Sequence, residues 1–282
     1  MDTPSTSLRR EPFGEMLRAW RTARGLSQMR LAHLAGISPR HMSFVETGRS
    51  RPSRDVLLRV AGVLDIPLRV RNRLLESAGF ARIYSDSAFD EPALERVRAT
   101  LQFILDRHEP YGAVVVDAGW SLLMANEPHR RMSAFFVGPE PEPDSSARPN
   151  LLERVFSPDG FRPWIVNWEE VGGLLGARLR RQLEFSPATG GLDKLLASLE
   201  EYGIPPEPVP SAEWDPPLLI PLHLRKAELD LRFFTTITTF GTPQDALVQD
   251  LRIETFFPAD EGTDQIVREM HVGAPASGTL LA

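Results

Sequence analysis

The run "SQMRLAHLAGISPRHMSFVETGRSRPS", Ser27 to Ser53, constrains the fold more than any other part of the chain. Ser27 precedes "QMRLAHL" and Ser38 precedes "PRHMSFVE", each where a hydroxyl can accept from a free N–H of a first helical turn. Pro39 suits the first helical position, which has no N–H to satisfy. Between the two patterns stands Gly36, the residue that adopts a positive φ without steric cost. Ala32 is small where two helices would cross. Leu31, Ala35, Ile37, Met42 and Val45 fall on one shared apolar side. The pattern predicts two short helices folded tightly on each other. Packing those apolar residues inside leaves Arg40, His41, Ser43, Phe44 and Thr47 on the outer face of the second helix.

The flanks extend the helical reading. In "FGEMLRAWRTARG", Phe13, Leu17 and Trp20 share a face and Gly25 ends the helix. Ser53, with Asp55 and Val56, opens a fourth helix, and Pro67 a fifth that stops near Gly79. Residues 1–80 are thus expected to form an all-α domain of five helices. That segment carries 14 Arg, no Lys and 7 acidic residues, a balance of +7; against −6 for the whole chain, the remainder carries −13. A basic module joined to an acidic one places a polyanion at the first part only. Helix-turn-helix units lay their second helix in the major groove with its N-terminal residues nearest the base edges. The outward face is therefore expected to meet double-stranded DNA, with Phe44 able to pack on a thymine methyl.

The absence of cysteine excludes disulfides, zinc-thiolate sites and thiol nucleophiles. No apolar run suits a signal peptide or approaches the roughly 18 residues of a membrane span, so a cytoplasmic protein without a membrane partner is expected.

Residues 81–91 read as a linker. Beyond it, Leu94, Val97, Leu101 and Ile104 mark an amphipathic helix. Two strands follow in "GAVVVDAGWSLLMANE", joined at Asp117-Ala118-Gly119. Helical patterns occupy 127–137, 150–156, 162–184 and 191–202; strands are expected at 218–226, 228–240 and 250–257. This segregation predicts an α+β domain over 92–270, an antiparallel sheet with helices on one face. The tail, 271–282, is expected to be disordered. No His-Glu-x-x-His, no paired cupin histidines, no Ser-Lys pair and no phosphate loop is present, so no catalytic residue or metal ligand is assigned and no cofactor is required. Apolar volume is what the domain offers. Val114, Val116, Leu122, Met124, Leu231, Phe233 and Ile237 would project from the sheet toward helices bearing Trp164, Trp168, Leu174 and Leu175. That volume is either a filled core or a cavity for a small apolar ligand. Asn126, His129, Arg130 and Asn167 border the apolar segments and are candidates for its polar end.

The stretch "LRAWRTARGLSQMRLAHLAGISPRHMSFVETGRSRPS" resembles the Xre/Cro/C1 family of repressors over residues 13–77. The resemblance implies that Gln28 contacts phosphate, that Arg21 pairs with Glu46, and that base contacts cluster at Pro39, Arg40 and Phe44. Pro39 has no side-chain donor, so readout leans on Arg40, His41 and Ser43. Arg49 and Arg51 follow the helix as phosphate contacts, and Ser27 joins the set at the head of the preceding helix. A second resemblance is carried by "NLLERVFSPDGFRPWIVNWEEV", "TTITTFGTPQDALVQDLRIETFFPAD" and "VVVDAGWSLLMANEPHRRM". These are similar to the MmyB-like ligand-binding domain, a PAS-like fold joined to Xre-type modules. It implies a homodimeric transcription regulator whose pocket takes a long-chain fatty acid or similar lipid. The competing expectations are a domain that serves only dimerisation or protein contact, and an enzyme that doubles as a regulator.

Overall fold

In the computed structural model, residues 13–138, 148–185, 191–208 and 221–272 are described. They form two compact units. One runs to Asp86 and takes in two later segments beginning at Arg181 and Pro243; the other holds the rest.

The first unit contains α1 (Phe13–Ala23), α2 (Gln28–Leu34), α3 (Pro39–Glu46), α4 (Arg54–Val63) and α5 (Leu68–Ser77). Three serine caps set three of the starts: Ser27 Oγ accepts from Arg30 N, Ser38 Oγ from His41 N and Ser53 Oγ from Val56 N, at 3.1, 3.1 and 3.3 Å. Gly36 has φ +65°, and the turn closes with Ile37 N donating to Ala32 O at 3.0 Å. Leu17, Trp20, Leu31, Met42, Leu57 and Leu74 make the centre of the core, each at most 2% exposed. Gly14 permits a close crossing, since a Cβ there would lie 2.2 Å from the Glu46 carbonyl oxygen. The backbones of α1 and α3 therefore touch. Part of the segment expected as a linker is held to α5: buried Asn72 donates to Tyr84 O at 2.8 Å and accepts from Ile83 N at 3.1 Å.

The second unit is an α+β structure around a five-stranded antiparallel sheet of order β2-β1-β5-β4-β3. Its strands are β1 (Ala113–Val116), β2 (Leu122–Ala125), β3 (Pro221–Lys226), β4 (Leu229–Thr238) and β5 (Arg252–Pro258). Its helices are α6 (Glu95–Arg107), α7 (Glu127–Phe136), α8 (Leu151–Phe156), α9 (Trp168–Phe185, whose residues from Arg181 are counted with the first unit), α10 (Leu192–Glu201) and α12 (Glu261–Val272); the short α11 (Ala246–Asp250), up to Gln249, is counted with the first unit. Asp117 shapes the β1–β2 turn, its Oδ1 accepting from Gly119 N and Ser121 N at 2.8 and 2.9 Å. Cross-strand partners share a face of a sheet. Val114 opposes Glu254, Ile237 opposes Glu254, Leu222 opposes Phe233 and Leu224 opposes Leu231. One face thus carries Val114, Val116, Glu254, Phe256, Leu231, Phe233, Leu222 and Leu224.

Three sequence expectations need correction. The helix over 162–184 begins only at Trp168, after a single 3-10 turn at Arg162–Trp164. Ile165 bridges Leu224 and Val166 N donates to His223 O at 2.8 Å, so this stretch pairs with β3 instead of continuing a helix. Helices α11 and α12 were not expected at all. Both had legible starts: Asp245 Oδ1 accepts from Leu247 N at 2.8 Å, and Asp260 Oδ1 from Thr263 N at 2.7 Å. The expected tail loses His271 and Val272 to the last turn of α12. Its remainder, 273–282, lies outside the described residues.

Candidate DNA-binding face and ligand cavity

On the outer side of α2 and α3 the structure exposes Ser27, Pro39, Arg40, Thr47, Arg49 and Arg51. His41, Ser43, Phe44 and Gln28 are half-buried, a correction to the full exposure expected of His41 and Phe44. Arg40 and Phe44 lie one turn apart on α3, and the guanidinium covers the ring with its carbon 5.3 Å from the centroid. Thr47 turns its hydroxyl inward, donating to Ser43 O at 2.8 Å. Arg51 is anchored at the end of α5, where Nε donates to Ala78 O at 2.7 Å.

Behind this face stands a buried ionic network. Arg21 donates from Nε to Glu46 Oε1 at 2.6 Å and from Nη2 to Oε2 at 3.2 Å. Its Nη1 donates to Leu26 O at 2.6 Å. The Glu46 side chain is 1% exposed and that of Arg21 13%. Gln28, expected to face phosphate, donates from Nε2 to Glu46 Oε2 at 2.6 Å. One carboxylate therefore ties α1, α2 and α3 together.

In the second unit, α7, α8 and the Phe256 face of the sheet border an apolar cavity. Helix α7 contributes His129, Met132 and Ser133; α8 contributes Leu151 and Val155. Phe161 and Ile165 close one side, with Leu222 and Leu224 from β3, Phe256 from β5 and Gly112 completing the wall.

Of the residues expected at the ligand site, only His129 lines this cavity. Val114, Val116, Leu122, Leu231 and Phe233 are buried in the body of the sheet, and Ile237 lies beside Glu254. Met124 opposes Val115, on the other face of β1 from Val114. Asn126 caps α7: its Oδ1 accepts from Ala113 N and His129 N at 2.9 and 3.1 Å, and its Nδ2 donates to Tyr111 O at 2.8 Å. Arg130 reaches Ala125 O and Glu127. Asn167 Oδ1 accepts from His223 N at 3.1 Å while its Nδ2 donates to Pro221 O at 3.1 Å, tying the loop before α9 to β3. Trp164 lies under Lys226 Nζ, 4.4 Å from the ring centroid, and Trp168 meets Phe156 edge-on at 5.0 Å. These polar and aromatic groups build the fold. The lining that was missed carried a partial signal: 129, 132 and 133 share a helical face, as do 151 and 155, and 222 and 224 share strand parity.

Burial pushes the Glu254 carboxyl above the usual carboxylate range. Burial first, then Arg154 and Arg130, push the His129 imidazole down to about 4. A free histidine titrates near 6.5, so between those values the unfolded chain holds a proton that the folded one does not. Stability should therefore fall as pH drops from 6.5 toward 4, by about 3 kcal/mol in all. Urea denaturation of the full chain, followed at the second unit at pH 7, 6, 5 and 4, measures this, and His129→Gln should flatten the profile.

Among the described residues no helix is long and apolar enough to cross a membrane. Residues 97–270 match the family described as MmyB-like transcription regulator ligand binding domain, and residues 12–74 match a helix-turn-helix domain. Two solved structures share similarity. The clp gene regulator ClgR from Corynebacterium glutamicum is 28% identical, with 38% of this chain and 99% of that one covered at a TM-score of 0.22. An RNA-binding light-oxygen-voltage receptor is 10% identical, with 94% of this chain and 62% of that one covered at a TM-score of 0.25. None of the curated proteins matched. Because the match at 97–270 spans well over half of the chain, the protein belongs to the MmyB-like family: it is a DNA-binding transcription regulator with a helix-turn-helix domain and a ligand-binding domain.

Proposed function

We propose that this chain is an Xre-type, homodimeric, sequence-specific regulator whose PAS-like domain binds a lipid, a long-chain fatty acid or close relative, and thereby alters operator binding. The observation that carries the reading is the cavity between α7, α8 and the sheet, whose lining is almost wholly apolar as small-molecule sites are. Ligand must favour one dimer geometry over another, since equal affinity for both shifts nothing. Two recognition helices must meet half-sites about 34 Å apart or a multiple of it. Calorimetry on delipidated protein with saturated acids of eight to eighteen carbons tests the cavity. Each buried CH₂ contributes about 0.8 kcal/mol, so affinity should climb with chain length until the cavity is full, then fall. Flat, millimolar affinity across the series would leave a domain that serves dimerisation alone.

For the DNA face, Ser27, Gln28, Pro39, Arg40, His41, Ser43, Phe44, Thr47, Arg49 and Arg51 remain the proposed contacts. Arg40→Ala is expected to weaken operator binding by about 1–3 kcal/mol, the worth of a bidentate base contact. Arg49→Ala should instead weaken binding to all sequences alike, because phosphate contacts position without specifying. Gel-shift titration against operator and scrambled duplexes separates the two. Unchanged affinity and preference in Arg40→Ala would move the readout to other residues of α3.

A further inference from the structure

We infer that Gln249, which caps α5 from 181 residues away, couples ligand binding to DNA binding, so that the state of the cavity reaches the operator through this one bond. The inference rests on the proposal that ligand alters operator binding, and adds the residue through which it does so. Helices α2, α3 and α4 each begin at a serine that accepts from a free N–H of its own first turn. The residue before α5 is Pro67, whose side chain has no acceptor to offer. The first N–H of that helix, on Leu68, donates instead to Gln249 Oε1 at 2.6 Å. Leu68 is 7% exposed, and a backbone donor withdrawn from water needs a partner.

The stretch from Pro243 to Gln249 is counted with the helical unit, yet in the chain it joins β4 to β5 of the other. Two attachments hold it to α5. At its start Ala246 N donates to Ser85 O at 2.8 Å and Asp245 pairs with Ser85 in a parallel bridge. The residue before Ser85 is itself tied to α5, since Asn72 both donates to Tyr84 O and accepts from Tyr84 N. At its end stands Gln249. Asp250 and Leu251 alone separate Gln249 from β5, the strand that carries Phe256 in the cavity wall. A connection that short has little slack in which a shift of the strand could be lost. At the other end of α5, Ala78 O accepts from Arg51 Nε at 2.7 Å, and Arg51 belongs to the proposed DNA face. A helix of ten residues joins the two bonds. Its first donor is either satisfied or stranded, and those are two states between which a ligand can choose.

The experiment is gel-shift titration of the delipidated full chain, with and without dodecanoate, on a duplex selected from a random pool by the unaltered protein. Dodecanoate is expected to change the affinity of the unaltered chain for that duplex by about fivefold or more, as a modest allosteric coupling does. In Gln249→Ala the change should shrink to within about twofold, while calorimetry shows dodecanoate bound as before. Gln249→Glu, whose carboxylate can accept from the same N–H at a helix start, should restore it. Leu68→Pro removes the donor at a position where proline suits a helix, and carries the test alone if Gln249→Ala fails to fold. A full ligand effect in Gln249→Ala or Leu68→Pro overturns the inference and makes the bond a helix cap and nothing more. So does a Gln249→Glu chain as insensitive as Gln249→Ala. Dodecanoate that binds the unaltered chain without altering its affinity for the duplex overturns the proposed regulation, and this inference with it, but leaves the cavity as a ligand site. Absence of binding overturns the cavity reading as well.

Discussion

Glu46→Ala is expected to destabilise the helical unit by about 3–5 kcal/mol, the cost of stranding one partner of a buried ion pair. The carboxylate accepts twice from Arg21 and once from Gln28, and its side chain is 1% exposed. Removing it leaves a guanidinium and an amide without their acceptor at the junction of three helices. The melt of the full chain should then split, with the transition reported by Trp20, buried in the first unit, moving to lower temperature. Operator affinity should fall only as far as the unit unfolds. An unchanged melt would mean that water reaches the pair and takes over its role.

Phe233→Ala is expected to cost the ligand-binding unit a similar amount, about 3–5 kcal/mol, as truncation of a fully buried phenylalanine does. Phe233 is 1% exposed and packs with Leu231, Leu224, Phe136 and Val267. Strand parity assigns it to the cavity face, yet Leu222, its partner in register, is the residue that reaches the cavity. Urea denaturation followed at Trp120, buried in the same unit, should show the loss, while the protein that remains folded should bind the acids of the proposed series as the unaltered chain does. A small loss of stability with a gain in affinity for longer acids would make Phe233 a wall of the cavity after all.

These two residues show what the sequence could and could not convey. The helical unit is specified locally: serine caps, a glycine at φ +65° and apolar spacing all lie within a few residues of the feature they set. The cavity is specified by convergence. Its walls come from α7, α8 and β3, segments separated by tens of residues, and a void among apolar side chains leaves no mark in periodicity. Parity told which face of β4 is buried but not which buried residues fill space and which border it. Three of the four polar candidates lie away from this cavity for a related reason. Asn126 and Asn167 adjoin apolar segments because buried backbone groups there need partners, and each asparagine supplies them. His129 lies at the cavity because it is on the same turn that Asn126 caps. Ser133, one turn further on, looked like any small helical residue until Arg154 came to meet it, donating to its Oγ at 2.8 Å.

The outer strands of the sheet bear on how two copies could associate. β2 and β3 form its borders, and a border strand with open backbone groups is a template for another chain. Here both borders are partly closed by the protein's own irregular segments. Beside β2, Leu122 N donates to Pro149 O at 2.8 Å and Ser121 bridges Asn150; beside β3, Ile165 bridges Leu224 and Val166 N donates to His223 O. Those main-chain groups are already taken and are not open to a foreign strand. Helical surfaces offer a different kind of contact, one that can slide or rotate by small steps in a way that a hydrogen-bonded strand pair, fixed in its register, cannot.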